Sequence, residues 1–174
     1  MAKIPARKES SSVAYAILEN VVFLKKTPLF SSIRTHDIGA VASIAEEITF
    51  RPGEEIVSEN DVGDSLFLIK KGTVRIVKKV DETSSIDLAE LSIGECFGDM
   101  AVFDAEQRSA SVRAKDTCTL LRINGQDLID VILDHPHISI ELLKIFIKRL
   151  RKANATIREL SSKSSFAGKP EGAR

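Results

Sequence analysis

The hydrophobic period of this chain changes twice, and that change constrains the fold more than any other feature. From about Ser12 to Lys26 the apolar residues Ala14, Ile17, Leu18, Val21, Val22 and Leu24 recur at three and four, the spacing of a helix. Lys25, Lys26, Thr27 and Pro28 end it, and Leu29-Phe30 anchor the next segment. A second helix is predicted at about His36–Glu46, burying Ile38, Val41, Ile44 and Ala45, with Thr35 as its N-cap. From Ile48 the period drops to two. Strands are predicted at Glu47–Phe50, Glu54–Val57, Ser65–Lys70, Gly72–Val80, Ser85–Leu91, Glu95–Phe97, Ser109–Ala114 and Cys118–Asn124. Turn residues separate them: Arg51-Pro52-Gly53, Asn60-Asp61 with Gly63, Lys71-Gly72, Asp81–Ser84, Ile93-Gly94 and Lys115-Asp116. The helical period then returns at about Gln126–Leu133, breaks at Pro136 and runs on from about His137 to Leu160.

About eight short strands between helical ends predict a mainly β, α+β chain. Its centre is an eight-stranded antiparallel jelly-roll-type β-barrel, closed or built from two sheets. The chain is accordingly divided into a disordered tail at 1–12, N-terminal helices at 13–46, the barrel at 47–124, C-terminal helices at 125–160 and a second disordered tail at 161–174.

Residues 93–114 carry the chemistry. A strand end at Glu95–Phe97 runs into Gly98, then Asp99, a helical turn at Met100–Phe103, a polar loop, and Arg108-Ser109-Ala110 entering the next strand. A glycine leading into a helix start leaves backbone N–H groups unpaired, which suits an anion. Arg108 adds a planar, permanently charged fork of donors matched to a phosphate. Asp99 would repel that anion, and its carboxylate suits sugar hydroxyls beside the phosphate. Together these groups describe a site for a nucleotide monophosphate.

The stretch resembles the phosphate-binding cassette of the cyclic-nucleotide-binding domain family, which includes the bacterial catabolite activator protein, protein kinase A regulatory subunits and cyclic-nucleotide-gated channels. The family pattern is roughly Phe-Gly-Glu-(Leu/Ile)-Ala-Leu, a short loop, then Arg-(Ser/Thr/Ala)-Ala. This chain matches it at Phe97, Gly98, Ala101, Arg108, Ser109 and Ala110. It departs at Asp99, where the family has Glu, and at Gln107, where proline is frequent. The resemblance extends through Leu29-Phe30, Arg51-Pro52-Gly53-Glu54, Gly63–Ile69 and Lys71-Gly72-Thr73-Val74, in the family's order over roughly residues 28–150.

The resemblance implies a sensor module that binds cAMP or cGMP inside the barrel and signals through its helices to an effector protein or fused domain. In that reading Arg108 pairs the exocyclic phosphate, with N–H groups at Met100 and Ala101 and the Ser109 group capping it. Asp99 and the Gly98 carbonyl take the ribose hydroxyl. Phe97, Val112 and side chains of the long helix enclose the base, with Asn154 in contact. Because Asp99 is one methylene shorter than Glu, a second reading stays open: a degenerate domain that has lost its ligand and serves as an interaction or dimerisation module.

Composition excludes several other classes. At 174 residues, 43% hydrophobic and 29% charged, the chain can bury a proper core. Its formal net charge of zero argues against a protein built to hold nucleic acid by its phosphates. No apolar run is long enough to span a bilayer and no signal peptide opens the chain, so a cytoplasmic location is expected. Cys96 and Cys118 read as small buried hydrophobes, not as a disulfide or metal pair. No nucleophile–base pair is evident, so no enzyme, cofactor or metal is expected. His135-Pro136-His137 with Glu141 does match the His-x-His-x3-Glu spacing of a cupin metal motif. It straddles a proline and opens a helix, and no second motif accompanies it, so a metal enzyme is the weaker reading. The last helix is basic through Lys144, Lys148, Arg149, Arg151, Lys152 and Arg158, and too little chain succeeds it for a helix-turn-helix. Its apolar stripe, Ile138, Leu142, Ile145/Phe146, Leu150, Ala153, Ile157 and Leu160, fits either a homodimer seam or packing on the chain's own barrel.

Overall fold

The computed structural model describes residues 7–81, 84–104 and 106–166. Two helices, α1 (Arg7–Leu24) and α2 (Thr35–Ser43), precede five strands, β1 (Ala45–Phe50), β2 (Glu55–Val57), β3 (Ser65–Lys71), β4 (Val74–Lys79) and β5 (Ser85–Leu91). Next come β6 (Cys96–Phe97), α3 (Asp99–Asp104), β7 (Ser111–Ala114), β8 (Cys118–Asn124), α4 (Gly125–Asp134) and α5 (His137–Phe166). The basic, serine-rich start, which composition predicts to be disordered, is therefore helical from Arg7, and α5 runs on to Phe166 instead of ending at Leu160. The rest of the two predicted tails, 1–6 and 167–174, lies outside the described residues.

The strands form two four-stranded antiparallel sheets, ordered β1-β8-β3-β6 and β2-β7-β4-β5. This is the strand order of a double-sheet jelly roll. Of the two forms the sequence left open, the two-sheet one is observed and the barrel is not closed, because the ladders run only within each sheet.

Two apolar clusters explain the layering. Phe67, Ile69, Val74, Phe97, Val112, Ala114, Cys118 and Leu120 fill the space between the sheets. On the outer face of the first sheet, Leu66, Leu68, Leu121 and Ile123 pack beneath the helices, through Leu24, Phe30, Ile38, Leu128, Ile138 and Leu142. Strand β3 is thus buried on both faces, which is why Leu66–Ile69 reads as a continuous apolar run instead of an alternating one. Among the described residues no helix packs broadly on the second sheet, and its edge strand β5 is exposed along nearly its whole length.

Two helix ends differ from expectation. Helix α2 stops at Ser43 because Ala45 and Glu46 pair with Ile123 and Arg122 of β8, and strand pairing outweighs local helical preference. Its N-cap is Arg34, with no side-chain capping bond, and Thr35 is the first helical residue. Helix α4 is capped by Asn124, whose side chain accepts from the N–H groups of Gln126 and Asp127.

Only the first part of the long C-terminal stripe packs on the chain's own core. Ile138 and Leu142 are buried in the core beneath α5, with Ile145 and Phe146 packed against them. Further along, Leu150 and Ile157 are 62% and 60% exposed.

Candidate functional site

Strand β6 delivers Phe97 to the space between the sheets, and the chain then turns sharply at Gly98, with φ +80°. Only glycine fits there. A Cβ would stand 2.2 Å from Arg108 Nη1 and 2.7 Å from the Ser65 carbonyl oxygen, in a backbone region that side chains disfavour. The turn starts α3 directly at Asp99, leaving the N–H groups of its first turn without intrahelical partners.

Arg108 is held from both its backbone and its side chain. Its N–H donates to the Asp61 carbonyl (2.8 Å) and its carbonyl accepts from Asn60 (2.9 Å), fixing it to the loop before β3. The guanidinium donates to the Ser65 carbonyl at 2.7 Å and, more loosely, to the Gly98 carbonyl at 3.4 Å. It also lies 6.0 Å above the ring of Phe67, which stacks on Phe97 at 5.1 Å and 13°. Arg108 is only 7% exposed, yet among the described residues no carboxylate forms an ion pair with it. Asp64 is engaged instead by Arg122 (3.5 Å), and the Ser65 hydroxyl joins these two. Burial lowers the Arg108 pKa and the nearby charge of Asp64 opposes that shift. A buried cation hydrogen-bonded only to carbonyl oxygens, and offset only in part by a neighbouring carboxylate that pairs elsewhere, retains donors and charge for an incoming anion.

The guanidinium borders a cavity of about 440 Å³. Of the residues expected at the site, Phe97, Gly98, Asp99, Met100, Arg108, Ser109 and Val112 line it. Ala101 is the next residue of α3, and its side chain lies outside the described part of the chain. Asn154 does not belong to the wall: it is exposed on α5, beyond the part of that helix that packs on the core. Besides further residues of the 93–114 stretch, the wall takes Val57 and Ile76 from outside it, and the sequence pointed to neither. Both pair with Val112, from β2 and β4 on either side of β7, so strand order alone brings them to the site. Alternation marks such residues as inward-facing, but it does not say which strands are neighbours.

Asp99 has a partner that the sequence did not indicate. Its carboxylate is ion-paired with Arg149 of α5, with Asp99 16% and Arg149 44% exposed at the side chain. Arg149 also reaches the Cys96 sulfur at 3.3 Å and lies 5.8 Å over the Phe146 ring. Burial pushes the Cys96 thiol pKa up, against the opposing effect of Arg149. Phe146 in turn meets Phe103 of α3 edge-on at 6.0 Å. A charge contact and an aromatic contact therefore tie α5 to the helix that shapes the site. In the sequence Arg149 is one of several cations on the last helix, and spacing singles out none of them.

The cysteines are both free, Cys118 buried and Cys96 partly so. Among the described residues no helix is long and apolar enough to cross a membrane.

These features agree with what the chain is similar to. A model of the cyclic nucleotide-binding domain matches residues 47–135, half of the chain, and the chain belongs to that family. The cyclic AMP receptor protein of Thermus thermophilus is 29% identical over 138 residues, covering 79% of this chain and 64% of that protein. The chain thus spans just under two thirds of that curated relative. Among solved structures, the N-terminal domain of a transcriptional regulator from Streptomyces coelicolor superposes with a TM-score of 0.69 at 26% identity, covering 78% of this chain and 94% of that one. The regulatory domain of Toxoplasma gondii PKA, solved with cAMP, shares the fold with a TM-score of 0.70 at 18% identity, over 82% of this chain and 52% of that one.

Proposed function

We propose that the chain is a regulatory sensor module that binds a cyclic purine mononucleotide, cAMP or cGMP, in the cavity between its sheets. The observation that carries this reading is Arg108: a guanidinium 7% exposed, without a carboxylate partner among the described residues, on the wall of a 440 Å³ cavity. That volume lies within the roughly 300–1,000 Å³ typical of small-molecule sites. Arg108 takes the cyclic phosphate, releasing the weaker of its two carbonyl contacts, the one to Gly98. The N–H groups at the start of α3 and the Ser109 hydroxyl complete the phosphate cradle. Asp99 offers the ribose hydroxyl the carboxylate oxygen that Arg149 leaves free. Val57, Ile76 and Val112 supply an apolar wall for the base. The name of the Thermus thermophilus relative and the cAMP in the Toxoplasma gondii domain support the same ligand class. Occupancy reaches the outside through α3 and α5, and hence an effector protein or fused domain, because the Asp99–Arg149 pair couples the ligand wall to the long helix.

Calorimetric titration of the purified chain with cAMP and with cGMP tests this directly. Saturable binding of either at one equivalent is expected. If neither binds at millimolar concentration, the sensor reading fails and the chain is an interaction module on the same fold.

The exposed part of the α5 stripe, Leu150 and Ile157, supports a homodimer seam continuing beyond the portion that packs on the core. Light scattering should report a dimer for the intact chain and a monomer for a chain truncated after Leu150. A monomer in both would remove the seam.

A further inference from the structure

On the far side of the helical layer the fold brings together three residues that the nucleotide site does not use. His36 and Asp37 open α2, and His135 caps the end of α4 before Pro136 turns the chain into α5. One donor atom from each lies within 4.8 Å of the other two. Asp37 is buried, His135 half-buried, and the His36 ring faces solvent. Both imidazoles aim Nδ1 at the same carboxylate oxygen, Asp37 Oδ1, from 3.4 Å for His36 and 3.2 Å for His135. Both separations are long for a hydrogen bond to a carboxylate, one at the upper end of the usual range of about 2.7–3.2 Å and the other beyond it. They do match those between ligands of one ion: bonds of about 2.0–2.2 Å to imidazole and carboxylate place neighbouring ligand atoms about 3.0–3.5 Å apart.

The group is held by structure on two sides. Asp37 sits in the first turn of α2, whose Ile38 N–H donates to Arg34. His135 is pinned by its N–H on Val131 and by its carbonyl, which accepts from Ile138. The charges nearby nearly cancel. Arg34 and Lys144 border the adjoining recess, but so does Glu141, which is bonded to Lys144 at 2.7 Å. The local His-x-His-x3-Glu spacing is thereby broken up. His135 turns to α2, while His137 and Glu141 line the recess beside it.

We propose that His36, Asp37 and His135 form a site for a divalent transition-metal ion, best suited to zinc, that clips the start of α2 to the α4–α5 turn. Two imidazoles and one carboxylate are a zinc-type donor set and a poor one for magnesium or calcium. Water fills the remaining coordination on the exposed His36 side. The bound ion ties the N-terminal helices to the base of α5 and stabilises that junction, because it binds the folded arrangement alone.

Titration of the full chain with zinc chloride, and with cobalt(II) followed by visible absorption, tests the site without reference to any nucleotide. One equivalent is expected to bind, with d–d bands but no thiolate charge-transfer band, and the thermal midpoint should rise with zinc. His36→Ala and His135→Ala should each weaken binding by more than the roughly 10–100-fold that loss of an outer-shell partner costs. His137→Ala, which removes a neighbouring histidine that is not one of the three clustered donors, is the matched control and should bind as the wild type does. His36 is solvent-exposed, so its variant should melt like the metal-free wild type, separating lost ligation from lost folding. The proposal is overturned by no binding at zinc concentrations on the order of 0.1 mM, by a thiolate band that moves the metal to Cys96, by unchanged affinity in the His36 and His135 variants, or by loss of binding in His137→Ala.

Discussion

Arg108→Ala should abolish measurable cyclic-nucleotide binding while the protein still melts cooperatively. A phosphate deprived of a charged partner in a partly buried site loses about 2–5 kcal/mol, roughly 30- to 5,000-fold in affinity. The structure adds an expectation for stability. The arginine is buried and no carboxylate among the described residues balances its charge, so in the absence of ligand its desolvation is only partly offset by bonds to the Ser65 and Gly98 carbonyls. Removing it should therefore leave the melting temperature of the ligand-free protein little changed. Arg108→Lys should not rescue binding, because an ammonium cannot make the planar two-point contact. Calorimetry and thermal melts of the same preparations decide the matter. Wild-type affinity in Arg108→Ala would place the phosphate elsewhere in the fold.

Asp99→Asn should weaken binding by about 1.5–3 kcal/mol, the worth of a charged acceptor on a ligand hydroxyl, which is roughly 10- to 150-fold. Arg149→Ala should also weaken binding, but by less. Arg149 offsets the negative charge of Asp99, which otherwise stands unbalanced on the wall of a cavity that must accept a phosphate. The Arg149 effect should shrink in high salt, since that side chain is 44% exposed. In the double variant the loss should match that of Asp99→Asn alone, because without the carboxylate the arginine has nothing to neutralise. Tighter binding in Arg149→Ala would show instead that the arginine competes with the ligand for Asp99.

Much of this was legible in the residues themselves, for reasons of local physics. The change of period from helical to alternating placed each of the eight strands, and β5 and β8 match the prediction at both ends, because short-range sterics and turn residues determine where a strand can run. Gly98, Asp99 and Arg108 lie within eleven residues of chain, so their chemistry could be read together before any fold was known. What local sequence could not supply was adjacency between distant segments. Whether the strands close into one barrel or split into two sheets depended on which edges pair, and no single strand's sequence carries that. Val57 and Ile76 reach the cavity only because β2 and β4 flank β7. Arg149 is one cation among several until the packing of α5 on the core turns it toward Asp99. His135 stands close to His137 in the chain, yet it meets Asp37, 98 residues away, and with it His36. The sequence by itself determined which elements form and what each short motif can bind, and the tertiary structure decided which elements touch. Contacts between remote segments arise from burying apolar faces that many arrangements of the same helices and strands could have covered.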